Sequence, residues 1–217
     1  ASPASSMRFA GISPEIGLSE TQQTLVKNGL RGQVRLQVDG QLKSGRDIIL
    51  MALLGAEEFA FGTSALIVLG CVMMRKCNLN TCPMGVATQD PALRAHFRGH
   101  YTYLVNFFTF LAQEVREYLA QMGYTSLKDI VGHTELITPK DTVAGSKESM
   151  LDFHRLLCKE QGETSLHHTK QQIHDLSDVL DQQIIRGAQN AIEKQEEVNL
   201  DFAIKNTDRA AGTMLSG

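Results

Sequence analysis

The chain has 217 residues, 42% of them hydrophobic, so it is long enough and apolar enough to bury a core. Its 21 basic and 24 acidic residues give a formal net charge of −3 and are mixed along the sequence without a dense Lys/Arg run, so no nucleic-acid partner is expected. The longest apolar stretch, residues 65–74, is about half of the ~20 residues that a membrane span needs. We therefore expect no membrane partner.

The first part of the chain alternates helical and strand patterns. The predicted elements are, in order, a helix over 17–28, a strand over 34–38, a helix over 45–54, a strand over 58–61 and a helix from Thr63. Gly29 is the expected stop of the first helix and Ser44 the expected N-cap of the second. Strands and helices in this order, with short connections, indicate parallel α/β architecture. Two strands would form only one side of a closed barrel.

The pattern becomes mainly helical after Val86. An amphipathic helix is predicted over 100–121, with a short helix from Leu127 that ends near Gly132. Further helical patterns cover 150–159 and 177–197, and residues 198–217 resemble the entry to another domain. The N-terminal residues include neither an initiator Met nor a signal-peptide pattern, and the sequence is therefore interpreted as part of a longer chain.

Two polar loops follow the predicted strands and lead into helices, the position at which barrel enzymes commonly hold a phosphate. Their residues are Asp39, Gly40, Gln41, Leu42, Lys43 and Ser44 in the first loop, and Gly62, Thr63 and Ser64 in the second. The alternative is that both are ordinary turns, with glycine at positive φ and Ser44 and Thr63 as helix caps. Taken singly, each loop is better interpreted as a turn; two in succession favour an anion site.

Three of the four cysteines lie close together, at Cys71, Cys77 and Cys82. Clustered thiols in a chain without a secretory signal favour metal chemistry over disulfides. Three ligands suit a three-iron cluster, or a four-iron cluster with one open corner. Zinc with His96 or His100 as a fourth ligand is a second possibility, and simple burial of the thiols is a third. The remaining cysteine, Cys158, is interpreted as a packing residue.

Three segments carry a close resemblance to the large-subunit family of glutamate synthase. They are VRLQVDGQLKSGRD at 34–47, LGAEEFAFGT at 54–63 and LGCVMMRKCNLNTCPMGVAT at 69–88, and the cysteine spacing around Asn80-Thr81-Cys82-Pro83 is the most specific. The resemblance implies an α/β fold in which residues 1–86 are the C-terminal part of a (β/α)8 TIM barrel. Residues 87–197 would be a helical region packed on it, and 198–217 the start of a C-terminal β-helix domain.

The resemblance also implies a function and its cofactors. Members of that family are enzymes that bind FMN beside a 3Fe-4S cluster and make L-glutamate from 2-oxoglutarate and glutamine-derived ammonia. Electrons would come from ferredoxin or from an NADPH-oxidising small subunit, and the enzyme would be cytoplasmic. By position, Asp39–Ser44 and Gly62–Ser64 would contact FMN, chiefly its phosphate, and Cys71, Cys77 and Cys82 would ligate the cluster.

The resemblance has one departure, at Gln41, where the family more often has glycine. A side chain there is tolerated only if its φ is negative or it points away from the phosphate. No residue of the chain is assigned as a catalytic acid, base or nucleophile. The alternative function is a noncatalytic electron-transfer module that holds iron–sulfur or another metal and in which the glycine loops are only turns. An incomplete barrel exposes strand edges, so we expect the isolated chain to be unstable.

Overall fold

The structure, a computed structural model, describes residues 3–159 and 165–217. The chain divides into two compact units, one ending at Lys170 and the other covering Gln171–Gly217. The first two residues of the predicted 1–86 segment lie outside the described residues.

A parallel pair of strands among helices forms the first unit. Its helices and strands are α1 (Ala4–Phe9), α2 (Pro14–Lys27), β1 (Gln37–Asp39), α3 (Gly45–Leu53), β2 (Glu58–Ala60), α4 (Thr63–Val68), α5 (Pro91–Arg94) and α6 (Tyr101–Met122). Short 3-10 turns cover Arg31–Gln33, Cys77–Leu79, Leu127–Ile130, Thr134–Leu136 and Glu148–Met150. The parallel strands confirm the predicted α/β class.

The predicted helix boundaries follow from local capping. Gly29 has a φ of +69° and its N–H donates to the Val26 carbonyl, while the Leu30 N–H donates to the Leu25 carbonyl, which closes α2 as a Schellman motif. At the start of α3, the Ser44 hydroxyl accepts from the Asp47 N–H at 3.3 Å and the Asp47 carboxylate accepts from the Ser44 N–H at 3.0 Å. Ser44 is therefore the N-cap that the sequence predicts.

The core lies on two sides of α3. On one side, Ile48, Ile49, Ala52 and Leu53 pack against the buried face of α6, formed by Leu111, Val115 and Leu119. On the other side, Met51 and Leu54 pack against Leu18 of α2 and Val38 of β1. Residues three and four apart share a helix face, so the apolar spacing of both helices produces this layer.

The helix predicted over 150–159 is wrong, because described residues 151–159 form turns and extended chain. Side chains of α2 bond to carbonyl groups of this segment. The Ser19 hydroxyl donates to the Leu156 carbonyl at 2.6 Å, and the Gln23 amide donates to the Arg155 carbonyl at 2.8 Å. Leu156 and Leu157 pack against the second side of the core. Tertiary contacts here replace the helical hydrogen bonds that the local pattern favours.

The second unit, taken by itself, contains three short helices among its described residues: α7 (Leu180–Gly187), α8 (Gln189–Lys194) and α9 (Thr213–Ser216). The predicted 177–197 helix is thus interrupted at Ala188. The Asp181 carboxylate on α7 is buried and accepts from the Gly212 N–H at 3.1 Å and the Met214 N–H at 3.3 Å. This carboxylate joins α7 to the start of α9.

Within residues 3–159 and 165–217, no helix is both long and apolar enough to cross a membrane.

Candidate cofactor site

The two predicted anion loops leave the same edge of the sheet. β1 and β2 pair in parallel, with Asp39 opposite Ala60 at their carboxyl ends. Loop 40–44 and loop 61–62 therefore start side by side and lead into α3 and α4, respectively. This is the arrangement in which backbone N–H groups and helix starts face a ligand above a parallel sheet.

The first loop needs unusual backbone conformations. Gly40 has a φ of +148°, which favours glycine, and a Cβ there would press on the Pro14 side chain at 3.1 Å. Gln41 has a φ of +58°, in the left-handed region, and its side chain is exposed. Of the two conditions that would allow a side chain at Gln41, a negative φ is therefore not met, and the backbone here is one that favours glycine.

Carboxylates already occupy the start of α3. The Asp47 carboxylate accepts from the N–H groups of Lys43, at 2.9 Å, and Ser44, while Glu114 of α6 accepts from the Gly45 N–H at 2.7 Å. Burial raises the pKa of Asp47, but the hydrogen bonds from Lys43 and Ser44 outweigh it and leave this pKa below its ordinary value. The N–H groups of Lys43, Ser44 and Gly45 are therefore already occupied.

Sequence reasoning missed the part that Glu114 plays. It lies on a helix distant in sequence, and nothing local connects it with Gly45. The contact is close, because a Cβ at Gly45 would lie 2.9 Å from the Glu114 side chain and from the Val115 backbone nitrogen. The one signal in the sequence was Gly45 itself, because a glycine at the start of α3 leaves room for another helix to pass close by.

The second loop has an unpaired polar atom. Ser64 is 6% exposed, and its Oγ has no hydrogen-bond partner among the described residues. Space is open beside Gly62, where a Cβ would meet no atom within 4 Å. A buried hydroxyl without a partner loses free energy unless a ligand or water completes it. A phosphate oxygen would supply the missing acceptor, so the residues of this loop fit that group.

Cys71 is fixed to the end of α4. Gly70 has a φ of +94° and its N–H donates to the Ile67 carbonyl at 2.9 Å, while the Cys71 N–H donates to the Leu66 carbonyl at 2.9 Å. These two bonds form a Schellman motif, which sets the direction of the chain at Cys71. Cys71 therefore lies directly after α4, the helix that follows the second predicted anion loop.

All three clustered thiols line one cavity of about 220 Å³. Cys71 and Cys82 are half-buried, and Cys77 is exposed. The other lining residues are mostly apolar or from the same loop: Leu66, Val72, Met73, Met74, Arg75, Lys76, Pro83, Val86 and Ala87. The structure thus brings together the three cysteines that the sequence singled out. Cys158 lies half-buried elsewhere and does not line this cavity.

Backbone hydrogen bonds shift the pKa of Cys82. Those from Ala87 above all, and also from Met84, Val86 and Gly85, outweigh burial and hold the pKa of this thiol below its ordinary value. A lowered pKa favours the thiolate, the form in which cysteine binds metals.

The two histidines considered for zinc have other bonds. His96 Nδ1 lies 3.1 Å from the Pro83 carbonyl oxygen, and His100 Nδ1 accepts from the Thr102 N–H at 3.3 Å as the N-cap of α6. Over the part of the chain that the structure describes, no three His, Cys, Asp or Glu side chains converge on a point where one ion could bind. In a multi-iron cluster each thiolate takes its own iron, so its ligands need not converge in this way.

The fold and the cavity together define an α/β protein with paired βα loops and a thiol-lined loop beside them. Residues 1–125 match the family described as the conserved region in glutamate synthase. With more than half of its length matched, the chain belongs to the glutamate synthase family.

Similarity to known members extends along the chain. It is 45% identical over 216 residues to the glutamate synthase (NADPH) large chain of Azospirillum brasilense, and 47% identical over 222 residues to ferredoxin-dependent glutamate synthase 1 of Arabidopsis thaliana. Both alignments cover 100% of this chain. Glutamate synthase (NADH) of Saccharomyces cerevisiae is 42% identical over 214 residues, with 97% of this chain covered. The chain spans 14%, 14% and 10% of these three relatives, respectively.

Proposed function

We propose that these residues serve a glutamate synthase that makes L-glutamate from 2-oxoglutarate and glutamine-derived ammonia. Condensation of the keto group with ammonia releases water, and two electrons and two protons then reduce the C=N bond to an amine. The chemistry that FMN and a 3Fe-4S cluster supply when bound is two-electron reduction and one-electron transfer, respectively. Membership of the family supports the reaction.

The observation that carries the proposal is the single cavity lined by Cys71, Cys77 and Cys82. These three thiols would ligate the cluster. The Schellman motif at the end of α4 sets the backbone at Cys71 and so restricts where the first of these sulfurs lies. The backbone hydrogen bonds that lower the pKa of Cys82 would also favour the negative charge of a reduced cluster.

The proposed FMN phosphate site lies at the edge where the two βα loops start. The Ser64 hydroxyl and the open space beside Gly62 favour it. Gly40, Gln41 and Leu42, which precede the capped start of α3, are further proposed contacts. Asp39, Lys43 and Thr63 complete the proposed contacts. Residues 1–86 would then be the C-terminal part of a (β/α)8 TIM barrel, residues 87–197 a helical region and 198–217 the start of a β-helix domain.

The electron donor is not distinguished by similarity. The relatives named for NADPH, ferredoxin and NADH are 45%, 47% and 42% identical to this chain, a narrow range. We propose a cytoplasmic enzyme that accepts electrons either from an NADPH-oxidising small subunit or from ferredoxin.

The second candidate is a noncatalytic module that binds iron–sulfur or another metal for electron transfer. The carboxylates of Asp47 and Glu114 favour it, since they take the N–H groups at the start of α3 that a phosphate would otherwise use. In that case the first loop is a capped turn, and only the cysteine cavity binds a cofactor.

Anaerobic purification of the full-length natural protein that contains these residues separates the two candidates. Iron, sulfide, zinc and flavin are quantified in the wild type, in Cys77→Ser and in Cys158→Ser as a matched control. Iron, sulfide and FMN together, with iron lost only in Cys77→Ser, support the glutamate synthase. Iron and sulfide without flavin support the module, and zinc without flavin removes the cluster assignment.

A further inference from the structure

Asn80, in the loop between Cys77 and Cys82, has a left-handed backbone and a side chain that bonds to residues beyond that loop. Asn80 has φ +56° and ψ +27°, a conformation that asparagine tolerates better than most residues. Its side-chain oxygen accepts from the Gln89 N–H at 2.6 Å and from the Thr88 hydroxyl at 2.9 Å. The Thr88 hydroxyl also lies 3.1 Å from the Asn80 carbonyl oxygen. The Asn80 side chain thus bonds to two residues, Thr88 and Gln89, that lie eight and nine positions further along the chain.

These bonds close the segment that contains the third thiol. Cys82 lies two positions after Asn80, and four residues between Asn80 and Thr88 line the cavity that all three thiols share: Cys82, Pro83, Val86 and Ala87. The contacts of Asn80 therefore join the two ends of the loop that places Cys82 in this cavity. If those ends separate, the position of the Cys82 sulfur in the cavity is no longer fixed.

Other contacts join the middle of the loop to residues 93–97. Gly85 packs on the end of α5, where a Cβ would lie 2.6 Å from the Leu93 carbonyl oxygen and 2.8 Å from the Phe97 nitrogen. His96 binds the Pro83 carbonyl at 3.1 Å. These contacts hold the middle of the loop, at Pro83 and Gly85, while Asn80 holds its two ends together.

We propose that Asn80 is a positioning residue for the iron–sulfur centre, acting through Cys82. By closing the loop on Thr88 and Gln89, its side chain keeps the Cys82 sulfur in the cavity that Cys71 and Cys77 also line. This inference rests on the proposed function, because it concerns the cluster assigned there. Contacts that hold a ligand in place strengthen metal binding, and the surroundings of the ligand sulfurs set the reduction potential, so loss of the Asn80 contacts weakens retention of the cluster and shifts its potential.

The test compares three substitutions of Asn80 in the anaerobically purified full-length protein. Asn80→Gly keeps the left-handed backbone but removes the acceptor, Asn80→Ala removes both, and Asn80→Asp keeps both. Asn78→Ala is the matched control, since Asn78 lies in the same loop and makes no side-chain hydrogen bond among the described residues. The readouts are the rate of iron loss to a chelator and the midpoint potential of the cluster by redox titration with electron paramagnetic resonance.

We expect iron loss about 10-fold faster in Asn80→Gly and Asn80→Ala than in the wild type, with the midpoint potential shifted in the same direction in both. Asn80→Asp should restore the slow iron loss, and Asn78→Ala should match the wild type in both readouts. Wild-type potential and wild-type retention in Asn80→Gly would overturn the proposal, as would a change in thermal stability without a change in potential. A wild-type protein that contains no iron–sulfur cluster would instead overturn the proposed function.

Discussion

The Arg31 guanidinium lies 2.7 Å from the Glu57 carboxylate, before the amino ends of β1 and β2 and away from the loops that form the candidate site. Arg31 is fully buried, and it also donates to the Gln22 side chain, to the Val34 carbonyl at 2.7 Å and to the Gly55 carbonyl at 3.1 Å. Glu57 accepts in addition from the His168 N–H at 2.9 Å. This network joins α2 and the 3-10 turn at Arg31–Gln33 to the segments that lead into β1 and β2.

Glu57→Ala should strongly destabilise the first unit. It leaves the Arg31 charge buried without a counter-ion, a change that costs about 3–5 kcal/mol. Glu58→Ala, one residue on, is the control, because Glu58 and Arg35 form an exposed pair 3.4 Å apart that contributes less than about 1 kcal/mol. Hydrogen exchange of amides 31–57 in the full-length protein gives both local free energies of opening. Equal effects of the two substitutions would contradict the assigned importance of the buried pair.

Sequence patterns predicted the elements whose boundaries depend on neighbouring residues. Gly29 and Ser44 stop and start helices through bonds within a few positions, and the α6 pattern needed only its own apolar spacing. Burial of Arg31 was not predicted, since its partners come from several separate segments. The clustered cysteines were recognised by type and spacing, whereas the Asn80 contacts with Thr88 and Gln89 depend on how the loop folds back.

Glu135 should make the turn at Thr134–Leu136 sensitive to acid. Burial raises the pKa of its carboxyl, but hydrogen bonds from Lys159 and His133, both at 2.8 Å, outweigh it and lower the pKa from 4.5 to about 2. Because the folded-state pKa is depressed, the stabilisation is present above about pH 4.5 and is lost as pH falls toward 2. These side chains are one-third to one-half exposed, so solvent screening limits the effect to less than about 1 kcal/mol.

The check on Glu135 is hydrogen exchange of residues 133–137, corrected for intrinsic exchange rates, between pH 5 and pH 2.5. Protection should fall across this range in the wild type. In Glu135→Gln it should be lower at pH 5 and change less with pH. A wild-type profile that is flat with pH would show that this carboxyl contributes nothing to local stability.

Gln41→Gly should stabilise the first βα loop. A left-handed conformation costs a residue with a side chain about 1–2 kcal/mol, a cost that glycine avoids. Glycine loses more conformational entropy on folding, which offsets about 0.5–1 kcal/mol of this gain. The net stabilisation is therefore about 0.5–1 kcal/mol. Lys43→Gly is the matched control in the same loop, at a negative φ, and should destabilise by about 0.5–1 kcal/mol. Thermal midpoints of the two variants should therefore move in opposite directions. A lower midpoint for Gln41→Gly would mean that its side chain makes a stabilising contact.

Replacement by alanine should change stability in opposite directions at two glycines that have open space around them. A Cβ meets no atom within 4 Å at Gly17, inside α2, or at Gly70, after α4, so packing does not separate them. Gly17 is helical, and Gly17→Ala should stabilise by about 0.5–1 kcal/mol, because alanine is the better helix former. Gly70 has a φ of +94°, and Gly70→Ala should destabilise by about 1–2 kcal/mol.

The consequence of Gly70→Ala should reach the cysteine cavity, because the same Schellman motif sets the direction of Cys71. Pulse proteolysis in urea gives the stability of each variant, and iron content after anaerobic purification gives retention at the proposed centre. Gly17→Ala should keep wild-type iron, whereas Gly70→Ala should lose iron together with stability. If Gly70→Ala is destabilised but keeps its iron, the chain after α4 adapts to the substitution, and the conformation at Gly70 does not determine where the first thiol lies.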